Sequence, residues 1–371
     1  MKITYVCPFF YPVEGGMENH VLNLARQMVK KGHEVEVLTS NSLRDKKINI
    51  NKEDYNGISI VRFNTLFNIG EFSPVFLSVL NYIKKSNSDI IHVHAYRQPH
   101  NLIPFFSHKK SVLTLHWPNY PKGLRSSIID KIIPIFDKTL GKSILRKYDK
   151  LIALNIPEKE WIINNFNIKK NNINIIPNGI PTILLKDIKS NFKKRYNIKN
   201  EFLSVSVARL NKSKGLDQVI DVADSFPGVM FVIIGSSDYN SKNLEELSKN
   251  KINVLILKNL SDKEKFKALT DADIFIHPSH YEAFGIVVLE AFSKKCAVIT
   301  SDKGGLPSVV GDAGLIFEDN NLVDLKKKIS ILISNKKLLI KLQLKGYNRV
   351  KNFTWESISD DLEVLYKGLL K

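Results

Sequence analysis

The feature that most constrains this chain is a rhythm. Short runs rich in β-branched residues recur along it, with helical segments between most of them. KITYVC, HEVEVLT, ISIVRF, DIIHVHA, SVLTLHW, DKLIALN and INIIPNG follow one another in the first half. The pattern restarts after residue 190 with FLSVSVARL, VMFVIIG, NVLIL, IFIHPS, CAVITSD and GLIFE. Strands that alternate with helices pair in parallel through right-handed crossovers, since that hand lets each helix pack back on its sheet. The chain has 371 residues, more than one core usually serves. The reading is therefore α/β with two Rossmann-like domains, 1–185 and 186–350. A closing helix, 351–371, packs back toward the N-terminal domain. Its apolar residues Ile358, Leu362, Leu365 and Tyr366 recur at helical spacing.

The net charge of +18 narrows the partners. Residues 1–185 carry 25 Lys+Arg against 14 Asp+Glu, and the remainder 30 against 23. Both halves thus attract anions: nucleic acid, anionic lipid or phosphorylated small molecules. A general lysine bias would give the same total. The two cysteines, Cys7 and Cys296, imply no disulfide framework and favour a reducing compartment. Pro8 and Pro12 break the first apolar run, which argues against a signal peptide. No run approaches the ~20 apolar residues of a membrane span. The expectation is a cytoplasmic protein, soluble or peripheral on the inner face of the membrane.

Ligands of open parallel sheets bind at the carboxyl ends of the strands. The residues just after each strand are therefore the ones to read: Gly15-Gly16, His92/His94, His116, Asn178-Gly179, Arg209 with Lys214, Gly235, and the stretch HYEAFGIVVLEAF. Arg209 ends a strand, and Lys214-Gly215 is expected to open the next helix, where two cations and free amides suit a diphosphate. A solvated surface pair is the plainer alternative. Glu282 precedes the helix that starts near Gly285, and Glu290 lies within it. The amides of Phe284, Gly285 and Ile286 fall at that helix start, and Gly285 permits close backbone approach. Glu290 sits among Val287, Val288, Leu289, Ala291 and Phe292, and a carboxylate in such company needs a partner. Gly304-Gly305 after CAVITS also lets backbone approach a ligand.

These motifs resemble the family-4 retaining glycosyltransferases of the GT-B fold, also called group 1 glycosyltransferases. The likeness runs through EGGMENHVLNLA, TLHW, IIPNGI, VARLNKSKGLDQVI, HPSHYEAFGIVVLEAF and GGLPSVVGDAGLIFE, in that order, and Glu282 to Glu290 matches the E-x7-E pattern. The resemblance implies an interdomain cleft, with an acceptor-binding N-terminal domain and a nucleotide-sugar-binding C-terminal one. It implies a hexosyltransferase of the EC 2.4 class that moves a hexose or N-acetylhexosamine from a UDP- or GDP-linked donor. Its acceptor would be a glycan or a lipid-linked molecule, as in surface-polysaccharide or N-glycan precursor assembly. Arg209 and Lys214 would hold the diphosphate, with Gly15 and Gly16 approaching it. Glu290 would take the ribose, and Glu282 the sugar, helped by backbone from Phe284, Gly285, Ile286 and Val287. His116 would sit near the reacting carbon. Catalysis is assigned to His116, Glu282, Arg209 and Lys214, with no essential metal or cofactor. The sequence departs from the family at Lys295, Ala297, Ser308, Pro181 and in GSSD after the central C-terminal strand. The rival reading is a non-catalytic sugar- or nucleotide-binding protein on the same fold.

Other signals are set aside. Asp271-Ala272-Asp273 looks like a metal-binding DxD but precedes a strand instead of following one. His92 and His94 share a strand face, but no third metal ligand is evident. Gly141-Lys142-Ser143 lacks the upstream glycine of a P-loop, and no GxGxxG follows the first strand. No recognised motif supports nucleic-acid binding. Lys122 to Lys150 carries eight Lys/Arg against three Asp, with Lys131, Lys138 and Lys142 on one flank of a helix. Ile128, Ile132, Ile135 and Phe136 lie on the adjoining face, and Pro134 would kink it. That pattern suits contact with an anionic membrane.

Overall fold

A computed structural model describes residues 1–43, 46–69, 73–119, 127–236 and 241–371, without the side chains of Ser127 and Ile128. Lys122, Arg125 and the Ile128 side chain of the basic segment lie outside the described residues, as do Ser237 and Asp238 of GSSD. The chain divides into two compact units, Met1–Asn178 with Trp355–Lys371, and Gly179–Thr354. The sequence reading put the first division at 185.

In the first unit the elements run β1 (Lys2–Val6), α1 (Gly16–Lys30), β2 (Glu34–Ser40), β3 (Lys52–Tyr55), β4 (Ile58–Phe63), β5 (Phe67–Asn68), β6 (Pro74–Val75), α2 (Ser78–Lys84), β7 (Ile90–His94), β8 (Lys110–Thr114), α3 (Ser127–Phe136), α4 (Lys142–Leu145), β9 (Lys150–Ala153), α5 (Ile156–Phe166) and β10 (Ile173–Ile175). The second unit holds α6 (Phe192–Arg195), β11 (Phe202–Val207), α7 (Asp217–Val222), β12 (Val229–Gly235), α8 (Ser241–Ser248), β13 (Val254–Lys258), α9 (Asp262–Asp271), β14 (Ile274–His277), α10 (Ile286–Ser293), β15 (Ala297–Ser301), α11 (Leu306–Val310), β16 (Gly314–Phe317), α12 (Leu322–Ser334) and α13 (Lys336–Val350). Helix α14 (Trp355–Leu370) belongs to the first unit again.

The sheet of the first unit has the order β10-β9-β8-β7-β1-β2-β4-β3, parallel except for the β3–β4 pair. Alternate residues serve two cores on its two faces. Ile3, Tyr5, Val35, Val37, Ile58, Ile60, Ile90 and Val112 face α1 and α14, and pack with Leu24, Met28, Ile358 and Leu362. Val6, Leu38, Ile91, Val93, Leu113 and Leu151 face the other way. A parallel sheet covered on both faces explains why its strands read as continuous apolar runs and not as alternations. The antiparallel edge strand β3, KEDY, carries no such run; its residues alternate between exposed and half-buried. The second unit's sheet has the order β13-β12-β11-β14-β15-β16, all parallel. Its core joins Phe231, Ile274, Ile276 and Ile299 to Val219, Leu325, Ile329 and Leu342.

Two local expectations shift. The helix read from GLDQVIDVADSF is shorter: α7 stops at Val222 and continues as one 3-10 turn, Ala223–Ser225. In the basic segment Pro134 sits inside α3, and a π turn, Asp137–Gly141, carries the chain into α4. Among the described residues, no helix is long and apolar enough to cross a membrane.

Candidate active-site residues

In the second unit the predicted donor residues gather where β11 and β14 end. Arg209 follows β11 by two residues; it is exposed and has no ion-pair partner among the described residues. Lys214 does not open α7 as expected. It ends a 3-10 turn, Lys212–Lys214, and the helix begins two residues after Gly215. Gly215 has φ 58°, and a Cβ there would lie 2.2 Å from the Pro278 carbonyl oxygen. Only glycine lets this turn rest against the loop after β14. The His280 N–H, donating to Ser213 O at 3.0 Å, fastens the two loops.

That contact brings Lys214 to Glu282. The Lys214 ammonium donates to Glu282 Oε2 at 2.7 Å, and His277 Nε2 lies 3.2 Å from the same oxygen. His277 is the last residue of β14 and was not singled out from sequence, although it follows the strand-end rule. Burial alone would raise the Glu282 carboxyl. The Lys214 charge and the His277 contact outweigh it and hold the group well below the usual carboxylate range. Gly304 also differs from expectation. A Cβ there would lie 2.0 Å from the Glu282 carbonyl oxygen, at φ 58°. Its close approach is to the backbone of Glu282, and the Gly305 N–H donates to that same carbonyl at 2.9 Å. The Gly304-Gly305 turn therefore braces Glu282.

Phe284 is buried, and Gly285, at φ 96°, forms the N-cap of α10. Ile286 and Val287 supply the first amides of that helix, which have no partner within the helix. Glu290 faces Lys265 of α9, whose Nζ lies 3.1 Å from each carboxylate oxygen. Burial raises the Glu290 carboxyl above its ordinary value, and Lys265 offsets part of that rise. Asp271 and Asp273 do structural work. Asp273 accepts from the Leu203 N–H at 2.9 Å, and Asp271 from the Lys193 N–H at 3.0 Å. A pocket of about 350 Å³ lined by Asp187, Thr270, Asp271, Asp273, Lys294 and Gln343 lies at the amino ends of β14 and β15. It is at the opposite strand ends from Glu282.

In the first unit Gly15 is extended and Gly16 opens α1, with no atom within 4 Å of a Cβ built on it. His116 and Trp117 follow β8 in the left-handed region, at φ 60° and 51°. This costly conformation for non-glycine residues is held by Glu158, the third residue of α5. Its carboxylate accepts from the Trp117 N–H at 2.5 Å and the Leu154 N–H at 2.6 Å. Burial pushes the Glu158 carboxyl up to about 7 despite these two donors.

His92 and His94 part company. His92 is bonded to the Tyr366 hydroxyl at 2.6 Å and to the Thr114 hydroxyl at 2.7 Å. His94 instead joins His116, their Nδ1 and Nε2 lying 3.0 Å apart, and His20 of α1. The third histidine that the sequence did not reveal is thus His20. It came from a helix whose apolar periodicity concealed it.

Residues 187–349 match the family model described as "Glycosyl transferases group 1", and residues 14–183 the one described as "Glycosyltransferase Family 4". The chain is 24% identical to the phosphatidylinositol N-acetylglucosaminyltransferase GPI3 subunit of Saccharomyces cerevisiae, over 91% of this chain and 76% of that one. It is 24% identical to the phosphatidyl-myo-inositol mannosyltransferase of Mycolicibacterium smegmatis, over 99% and 94%. Among solved structures, Anabaena HepE in complex with UDP-glucose matches with a TM-score of 0.75 at 17% identity, covering 99% of this chain and all of that one. The two family models lie end to end along the chain, and the fold is GT-B. The chain belongs to the group 1 glycosyltransferases and is an enzyme of sugar transfer.

Proposed function

We propose that the enzyme moves a hexose or N-acetylhexosamine from a UDP- or GDP-linked donor to a glycan or lipid-linked acceptor, with retention at the transferred carbon. The observation that carries this reading is the Lys214–Glu282–His277 cluster, with Arg209, two residues after β11, lacking an ion-pair partner among the described residues. Arg209 and Lys214 neutralise the diphosphate as it leaves, which supplies the main electrostatic lowering of the barrier. Glu282, kept ionised, accepts hydrogen bonds from hydroxyls of the transferred sugar. The first amides of α10 add donors there. Glu290 takes the ribose hydroxyls, in exchange for part of its contact with Lys265. The role near the reacting carbon falls to His116 by the family resemblance, and Glu158 braces its loop. The leaving phosphate takes the acceptor's proton, so no protein nucleophile and no metal cofactor is required.

A lipid-linked acceptor is supported by two relatives whose names specify phosphatidylinositol lipids. It is also supported by the surface of α3 and the π turn after it, where Ile129, Ile132, Ile135 and Leu140 are exposed, as are Lys131 and Lys138. A nucleotide-sugar donor is supported by the UDP-glucose complex of the HepE structure.

Donor hydrolysis and transfer, assayed with a panel of UDP- and GDP-sugars, test the reading. Wild type should turn over one donor, and Glu282→Ala should lower kcat/KM by at least about 100-fold, the scale of losing one catalytic polar contact. No turnover of any donor, or an unaffected variant, would sink it in favour of a non-catalytic binding protein.

A further inference from the structure

We propose that His20, His94 and His116 form a binding site for a transition-metal ion of the zinc class. The three imidazoles come from α1, from β7 and from the turn after β8. Each offers one ring nitrogen, and the three nitrogens lie within 4.8 Å of one another. The His94 Nδ1 to His116 Nε2 separation of 3.0 Å is near the roughly 3.3 Å between two nitrogens bound tetrahedrally to one zinc. His20 and His116 meet edge to face, with ring centroids 4.9 Å apart and planes at 89°.

The surroundings prepare the ring nitrogens for a cation. His20 Nδ1 lies 2.5 Å from Asn178 Oδ1, an oxygen that can only accept. The proton of His20 is therefore on Nδ1, and Nε2 carries a lone pair. That Nε2 is buried and has no hydrogen-bond partner among the described residues. Within a network of hydrogen bonds alone, His20 Nε2 stays unsatisfied; a metal at the trio supplies its partner. A ligating histidine normally has its second nitrogen fixed by such an acceptor, so Asn178 takes the orienting role. Three imidazoles with no carboxylate select zinc, copper, nickel or cobalt over magnesium and calcium.

The metal is not a cofactor in this scheme. Where the proposed function places His116 at the reacting carbon, a metal on its nitrogen blocks that role, so a loaded protein is held inactive. This last step rests on that functional reading; the metal site does not.

The test is a Co²⁺ titration of the full-length, chelator-treated protein, read by visible d–d absorption with no donor present. One equivalent should bind, with the intense band of a low-coordinate site, and Zn²⁺ but not Mg²⁺ should displace it. His20→Gln should weaken binding by at least about 10-fold, and Asn178→Ala by about 10-fold through loss of orientation. His108→Gln, on an exposed residue, should change nothing. Thermal melts show which variants fold, and Asn178→Ala gives the answer if His20→Gln does not. Absence of a Co²⁺ band, or affinity unchanged in the folded variants of His20 and Asn178, overturns the proposal. Donor turnover by metal-free protein is measured separately, so failure of the metal site and failure of the glycosyltransfer reading are told apart. Added Zn²⁺ should then inhibit that turnover in wild type.

Discussion

At the scale of single residues, two carboxylates, half-buried Glu282 and fully buried Glu158, are treated in opposite ways. Glu282 is held ionised by Lys214 and His277, whereas Glu158 is pushed up to about 7 by burial with only backbone donors around it. A carboxyl raised in the folded state binds a proton there that the unfolded chain has already released. Its contribution is complete below the ordinary carboxyl value and is lost as pH rises through 7. Denaturation of wild type and Glu158→Gln between pH 4.5 and 7.5 should show the wild type losing on the order of 3 kcal/mol relative to the variant. Parallel curves would contradict this. Gly304 makes a different demand. Gly304→Ala places a methyl against the Glu282 carbonyl in a left-handed conformation and should cost about 2 kcal/mol or more, seen as a lower Tm. Arg209, Lys214 and Glu282 were singled out from their place in the loops after strand ends, and Glu290 from its apolar neighbours within α10 and the E-x7-E spacing. Their pairing was not. It depends on two glycines that admit backbone to backbone, and Lys214 and Glu282 are 68 positions apart.

At the scale of elements, the strands were the most legible part, because a sheet covered on both faces writes itself as apolar runs. The exceptions are β3, whose residues Lys52, Glu53, Asp54 and Tyr55 pair only along an edge and bury little, and the two-residue strands β5 and β6, too short to show a run. Helix α1 shows the reverse failure. His20 is fully buried, yet it sits in a helix whose amphipathic pattern gave no reason to single it out. The spacing of α14 was readable, and its packing gives the spacing a cause. Trp355, Ile358, Leu362 and Tyr366 are inserted among Tyr5, Val21 and Leu24, and Tyr366 also donates or accepts at His92. Leu362→Ala leaves a cavity in that core and should cost 2–5 kcal/mol, about the range for buried leucines, in urea denaturation. A loss under about 1 kcal/mol would show that α14 is dispensable to this core.

At the scale of the whole molecule, the net charge of +18 spreads over both halves of the sequence and attracts anions without selecting among them. The α3 face adds exposed isoleucines to that charge, and only the combination should hold the enzyme on a bilayer. Sedimentation with vesicles should therefore show binding to anionic but not zwitterionic lipid, falling as salt rises. The double variant Ile132→Glu and Ile135→Glu should bind neither at any salt. Salt-dependent binding that survives the double variant would assign the attraction to diffuse charge.

The order in which the chain contributes to its units sets a timetable for synthesis. Gly179–Thr354 is one uninterrupted stretch, whereas the first unit needs Trp355–Lys371 to complete the core beneath α1. On a ribosome, the half that is made second can reach its native state first. The half that is made first must wait, with Val21, Leu24 and Met28 lacking the helix that covers them, until α14 has emerged. During that interval the nascent chain presents an apolar surface, and it is then that it most needs a chaperone.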